Sequence, residues 1–163
     1  MKVFVIPDIH QTNLWVKAAE EALKDADKII FLGDYVDSFD SKSLENTEWS
    51  AENTLLKLID FKKKNPDKVI LLCGNHDFSY LAKSRDGQSV SGHQWKHHDE
   101  ISKILHDNIS SFKAMEVIDD VAYSHAGVSK VWSFAVGAPT VEKINEKFQN
   151  VSEDWFNWNG YYD

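Results

Sequence analysis

Short apolar runs alternate with polar and helix-patterned stretches along this chain. Val3-Phe4-Val5-Ile6, Ile29-Ile30-Phe31-Leu32, Val69-Ile70-Leu71-Leu72 and Val121-Ala122-Tyr123 are each of strand length and bounded by turn residues. Continuous rather than alternating apolar runs describe strands buried on both faces, as in a parallel sheet. Between them the period changes. Leu14, Val16, Ala18, Ala19, Ala22 and Leu23 predict a helix over residues 11–25. Leu55, Leu56, Ile59 and Phe61 predict another over 49–64 with these side chains toward the sheet, ending in Lys62-Lys63-Lys64, where cations suit the negative pole of the dipole. Strand, helix, strand in this order is a βαβ unit with a right-handed crossover. Residues 94–105 and 141–148 also pattern as helices, while 112–118 and 121–124, joined by Asp119-Asp120, pattern as a hairpin in a second sheet. The class is α/β, with two sheets packed together and helices outside.

Each of the four runs ends in polar residues. The first leads to Asp8 and His10, the second to Gly33, Asp34 and Asp37, the third to Gly74-Asn75-His76-Asp77, and the fourth to His125. An open parallel sheet binds ligands beyond the carboxyl ends of its strands, so these side chains would converge. Carboxylate, imidazole and amide oxygen together suit manganese, iron or zinc rather than a soft, thiolate-seeking metal. Singly, an Asp after a strand is an ordinary cap or turn residue. The ordered set of four is what points to a metal site.

Composition narrows the picture further. A chain of 163 residues fits one domain over 1–163, able to bury roughly 70 % of its unfolded surface. The net charge of -8 argues against a passive nucleic-acid coat, which needs a basic face. Nucleic acid as a substrate stays open, because divalent ions reset the local field. The single cysteine, Cys73, reads as a small buried hydrophobe and leaves no intrachain disulfide, which fits a reducing, cytoplasmic setting. Lys2 and the apolar run after it resemble a signal start, but Pro7 ends that run, and no stretch has the length of a membrane span. The aromatic tail over 155–162 suits packing on its own domain or contact within a homo-oligomer.

Asp8-x-His10, Gly33-Asp34-x-x-Asp37, Gly74-Asn75-His76-Asp77 and His125-Ala126-Gly127 together resemble the motif series of the calcineurin-like metallophosphoesterases. Within that superfamily the chain is most similar to the phage and bacterial branch of the serine/threonine phosphoprotein phosphatase and diadenosine tetraphosphatase group. The resemblance implies a layered α-β-β-α sandwich of two mixed sheets flanked by helices. It also implies two divalent metal ions, manganese first and iron or zinc as alternatives. Asp8 and His10 would hold the first ion, Asp34 would bridge, and Asn75 and His125 would hold the second. A hydroxide between the ions would attack the phosphorus of a phosphomonoester or phosphodiester. His76, oriented and kept cationic by Asp37, would protonate the leaving oxygen. Phosphoproteins, nucleotides and nucleic-acid ends all qualify as the phosphorylated substrate.

Two departures qualify the resemblance. Asp37 is followed by Ser38-Phe39 where the phosphatase branch has Arg-Gly, so the phosphate-gripping arginine is missing; Arg85 is the chain's single arginine, and Lys42, Lys83 and Lys96 are other cations. The closing Gly-His motif is missing as well, as in a domain shortened at its C-terminus, and His125 is the last histidine. His93, His97 or His98 could complete the second ion's ligands; otherwise that ion is held weakly. His93 and His97 at i, i+4 could instead form a helical zinc site of their own, although a structural or surface role also fits all three. A second functional class is a catalytically impaired binding module with an incomplete second site. Against it stands the Asp37–His76 pair, since a pure binding module has no use for a leaving-group acid.

Overall fold

The first three apolar runs are joined through helices, and their strands stand parallel. In the computed structural model, which describes residues 1–81 and 90–150, β1 (Val3–Ile6), β2 (Lys28–Phe31), β3 (Val69–Leu72) and β4 (Phe112–Lys113) form one sheet in the order β1-β2-β3-β4. All its pairings are parallel, with Ile6 opposite Phe31 and Phe31 opposite Leu71, so the carboxyl ends of the first three strands lie level. The helices are α1 (Leu14–Ala22), α2 (Ser41–Leu44), α3 (Ala51–Lys64), α4 (Asn75–Phe78), α5 (His98–Asp107), α6 (Lys130–Ala135) and α7 (Val141–Gln149). No helix among the described residues is long and apolar enough to cross a membrane.

One face of the sheet presents Ile29, Phe31, Val69 and Leu71 to Trp15 and Ala19 of α1, Leu55, Leu58 and Ile59 of α3, and Ile101 and Leu105 of α5. Each such side chain contributes about 1.5–3 kcal/mol through burial, and Trp15, Phe31 and Phe61 add edge-to-face contacts. Leu56 is exposed, contrary to its expected place against the sheet. Positions 55, 58 and 59 share a helical face, so Leu58 takes that place. The opposite sheet face presents Ile30, Ile70 and Leu72 to Ile118 and Tyr123 of a hairpin, β5 (Met115–Ile118) and β6 (Val121–Ser124).

The layering of helices on sheet on sheet follows the sequence expectation, but in detail the sheets are not mixed among the described residues. The first is parallel throughout and the second is an antiparallel pair. A two-residue connection compels antiparallel pairing here: Asp119 and Asp120 have φ of 49° and 64°, the left-handed pair of a tight hairpin turn. The expected strand over 112–118 also breaks in two. Lys113 O accepts from Cys73 N within the parallel sheet. Asn145 of α7 then accepts from Ala114 N at 2.9 Å and Met115 N at 3.3 Å, and donates to Met115 O at 2.9 Å. Those bonds draw the backbone off the first sheet and into the second. The expected 94–105 helix is a single 3-10 turn at Trp95–His97 followed by α5, so His93 and His97 do not share a helical face. Lys83, Arg85 and the aromatic tail lie outside the described residues.

The loops after β2 and β3 meet through two glycines. A Cβ on Gly33, where φ is +118°, would lie 2.3 Å from Gly74 N, and one on Gly74 would lie 2.1 Å from Asp34 Oδ1 and 2.4 Å from Asp34 N. Gly74→Ala is therefore expected to cost about 3 kcal/mol, at the upper end of overpacking penalties, as a lower urea midpoint with unchanged slope.

Candidate metal centre

Backbone hydrogen bonds tie the three loops into one rim. Ile9 N and His10 N both donate to Asp34 O, at 3.0 and 2.8 Å, and Gln11 N donates to Tyr35 O at 3.0 Å. From α4, the fully buried Asp77 accepts from Asp34 N and Tyr35 N, each at 2.8 Å, and from Gly74 N at 3.0 Å. Burial pushes the Asp77 carboxyl up to about 8, assisted by the nearby Asp34 charge and opposed by these three N–H groups. The rim is strained. His10, Gln11, Asp34 and Asp37 have φ of 44°, 63°, 53° and 61°, a left-handed conformation uncommon outside glycine. Such strain costs on the order of 1–3 kcal/mol per residue and clusters at functional sites.

At the centre lies Asp34, 4 % exposed. Its Oδ1 accepts from His76 N at 2.9 Å, and its Oδ2 faces His125 Nε2 at 3.4 Å and His10 Nε2 at 3.8 Å. Both imidazoles are held from behind. His10 Nδ1 lies 2.9 Å from Val36 O and His125 Nδ1 lies 3.2 Å from Leu32 O. A carbonyl can only accept, so each Nδ1 bears a hydrogen and each Nε2 is turned inward, the orientation in which outer partners hold a histidine for a metal. Asn75 Oδ1 lies 2.9 Å from His125 Nε2, and Asp8 Oδ1 lies 3.8 Å from His125 Nδ1. The donors fall into two groups sharing Asp34: His10, Asp34 and His76, and Asp8, Asp34 and His125. Asp8 thus sits beside His125, whereas His10 sits beside His76, the two rings 4.8 Å apart edge to face. Among the described residues no lysine or arginine pairs with Asp34. A buried carboxylate facing two inward imidazole nitrogens is a donor set that suits a divalent cation.

His76 Nδ1 lies 3.0 Å from Asp37 Oδ2, and Asp37 is buried. Around this pair stand residues that no local motif singles out. Tyr80 OH donates to Asp37 Oδ1 at 2.5 Å, and Gln94 Nε2 donates to the same oxygen at 3.3 Å. Burial, together with Asp37, raises the Tyr80 phenol far above its ordinary value, so it remains a donor. Asp77, Tyr80 and Gln94 act across loops distant in sequence. Nothing local in Gly74-Asn75-His76-Asp77 shows that Asp77 reaches the loop after β2.

The three histidines proposed as substitute ligands are engaged elsewhere. His93 Nδ1 lies 3.0 Å from Ser79 Oγ and its Nε2 lies 3.0 Å from His98 Nδ1. His97 sits between Glu52, 2.7 Å away, and Glu45, 3.3 Å away. Lys96 pairs with Glu45. Cys73 is partly exposed and packs against the core, its thiol pushed well up by burial.

This geometry is joined by a family match. The model of the calcineurin-like phosphoesterase family matches residues 1–160, and the chain belongs to that family. Among solved structures, a metallophosphoesterase from Sphaerobacter thermophilus is similar, at 13 % identity and a TM-score of 0.39, over 85 % of this chain and 56 % of that one. The chain thus spans little more than half the length of that relative. No curated protein matches it.

Asp77→Ala would leave three backbone donors at the rim without their acceptor. At about 1 kcal/mol or more for each orphaned donor, the expected loss is about 3 kcal/mol in chemical denaturation, with weaker manganese binding by calorimetry.

Proposed function

We propose that the chain is a metal-dependent phosphoesterase acting on a phosphomonoester or phosphodiester through a two-ion centre. The observation that carries this reading is Asp34, a buried carboxylate shared by two groups of donors. Asp34 would bridge, with Asp8, His10, Asn75 and His125 completing the two sites; manganese is the first choice of ion, with iron or zinc as alternatives. Bound divalent ions supply Lewis acidity toward a phosphoryl oxygen and make water nucleophilic at neutral pH.

The chain's own residues account for the rest. The Val36 and Leu32 carbonyls fix the two ligating imidazoles, so little reorganisation is needed on loading. Asp37 holds His76 by Nδ1, leaving Nε2 as the atom that gives a proton to the departing oxygen. Family membership supports the reaction class, and the pairing of partly exposed His76 with buried Asp37 supports catalysis over passive binding.

The expected result is hydrolysis of p-nitrophenyl phosphate that requires manganese and stops with a chelator. Asp34→Asn should lower kcat by at least about a hundredfold, the scale on which a preorganised electrostatic contact is lost. Calorimetry should count two manganese ions in the wild type. One ion or none, or full activity in Asp34→Asn, would count against the reading.

A further inference from the structure

The surroundings of Asp37 are more elaborate than holding one imidazole requires. Asp37 Oδ2 is committed to His76, while Oδ1 is committed to Tyr80 OH and Gln94 Nε2. Tyr80 OH is itself fixed, because it accepts from Gln94 N at 2.8 Å. Gln94 Nε2 also donates to Gln11 Oε1 at 2.9 Å, and Gln11 Nε2 donates to Trp49 O at 3.0 Å, which anchors the set to the segment before α3. The Tyr80 ring is fully buried and stacks on His93 with 4.1 Å between centroids and 13° between planes. Ser79 Oγ, in contact with His93, donates to His76 O at 2.8 Å. A carboxylate with both oxygens committed in this way cannot rotate. Since Asp37 is also held at positive φ, its direction is set from both backbone and side chain.

We propose that Tyr80 and Gln94 are positioning residues that lock Asp37 in the orientation from which His76 delivers its proton to a strongly basic leaving oxygen. This rests on the phosphoesterase reading and deepens it. In the step concerned, the oxygen of water forms a bond to phosphorus and releases one proton to solvent, and the bond from phosphorus to the ester oxygen breaks. The electron pair of that bond stays on the leaving oxygen, which takes the Nε2 proton and departs as an alcohol or phenol. His76 is left neutral and regains its proton from solvent. An oxygen of low basicity, as in p-nitrophenol or a phosphoanhydride, departs without such help. The lock therefore matters for esters of ordinary alcohols and phenols.

Wild type, Tyr80→Phe, Gln94→Leu, Asp37→Asn and the Tyr80→Phe/Asp37→Asn double variant are compared with manganese on phenyl phosphate and p-nitrophenyl phosphate, substrates of similar shape. For Tyr80→Phe, kcat on phenyl phosphate should fall about tenfold or more, within the range spanned by general acid catalysis. The fall on p-nitrophenyl phosphate should be much smaller, with KM on both and manganese affinity by calorimetry unchanged. In the Asp37→Asn background Tyr80→Phe should cost nothing more, because residues acting through one another are not additive. Gln94→Leu, at a partly buried position, should show the same selectivity more weakly and decides the matter if Tyr80→Phe does not fold. Equal losses on the two substrates, additivity with Asp37→Asn, or weakened manganese binding would overturn the proposal. A wild type inactive on both substrates would instead remove the phosphoesterase reading, and this inference with it.

Discussion

The centre depends on how closely the loops after β2 and β3 approach each other. Gly33 and Gly74 touch with no room for a Cβ on either, and the Asp77 carboxyl group closes the gap by collecting the N–H groups of Gly74, Asp34 and Tyr35. That contact orients Asp34 and brings Asn75 and His76 to its side. A sheet register that levels the strand ends is necessary for this geometry but does not produce it. The two glycines and one buried acid do.

Around that contact the structure stores unfavourable terms in one small region. Four non-glycine residues of the rim have left-handed backbone, and Asp34, Asp37 and Asp77 are all buried. Such a concentration persists only where the surrounding packing over-determines it. Here the aromatic and aliphatic core between the sheet and α1, α3 and α5 lies directly beneath. A divalent cation would relieve much of the electrostatic part, so metal binding and local stability should be linked.

The departures from the family pattern have a partial structural account. Where the phosphatase branch has Arg-Gly after Asp37, this chain has Ser38 and Phe39, and Phe39 stands fully exposed, its ring 6.3 Å from that of His10. Lys96, among the cations considered in its place, is paired with Glu45. His93 and His98 lie behind the Asp37–His76 pair, stacked with Tyr80 and Trp95, while His97 bridges two glutamates. None of these three histidines stands beside Asn75 and His125 in the described structure.

Much of this was legible in the chain alone. The apolar runs gave β1, β2, β3 and β6 to within a residue or two, because a strand buried on both faces must be apolar throughout. The residues after those runs include the side chains that meet around Asp34, because a parallel sheet gathers its strand ends along one edge. Tertiary structure decided the rest. Residues 112–118 are uniformly suited to a strand, and only Asn145, thirty residues away, divides them between two sheets. The pairing of Asp8 with His125 and of His10 with His76, and the roles of Asp77, Tyr80 and Gln94, arise from hydrogen bonds across distant loops. Local sequence fixes what a residue can donate or accept and the period in which it is buried; which partner it meets is settled when the loops close over the sheet.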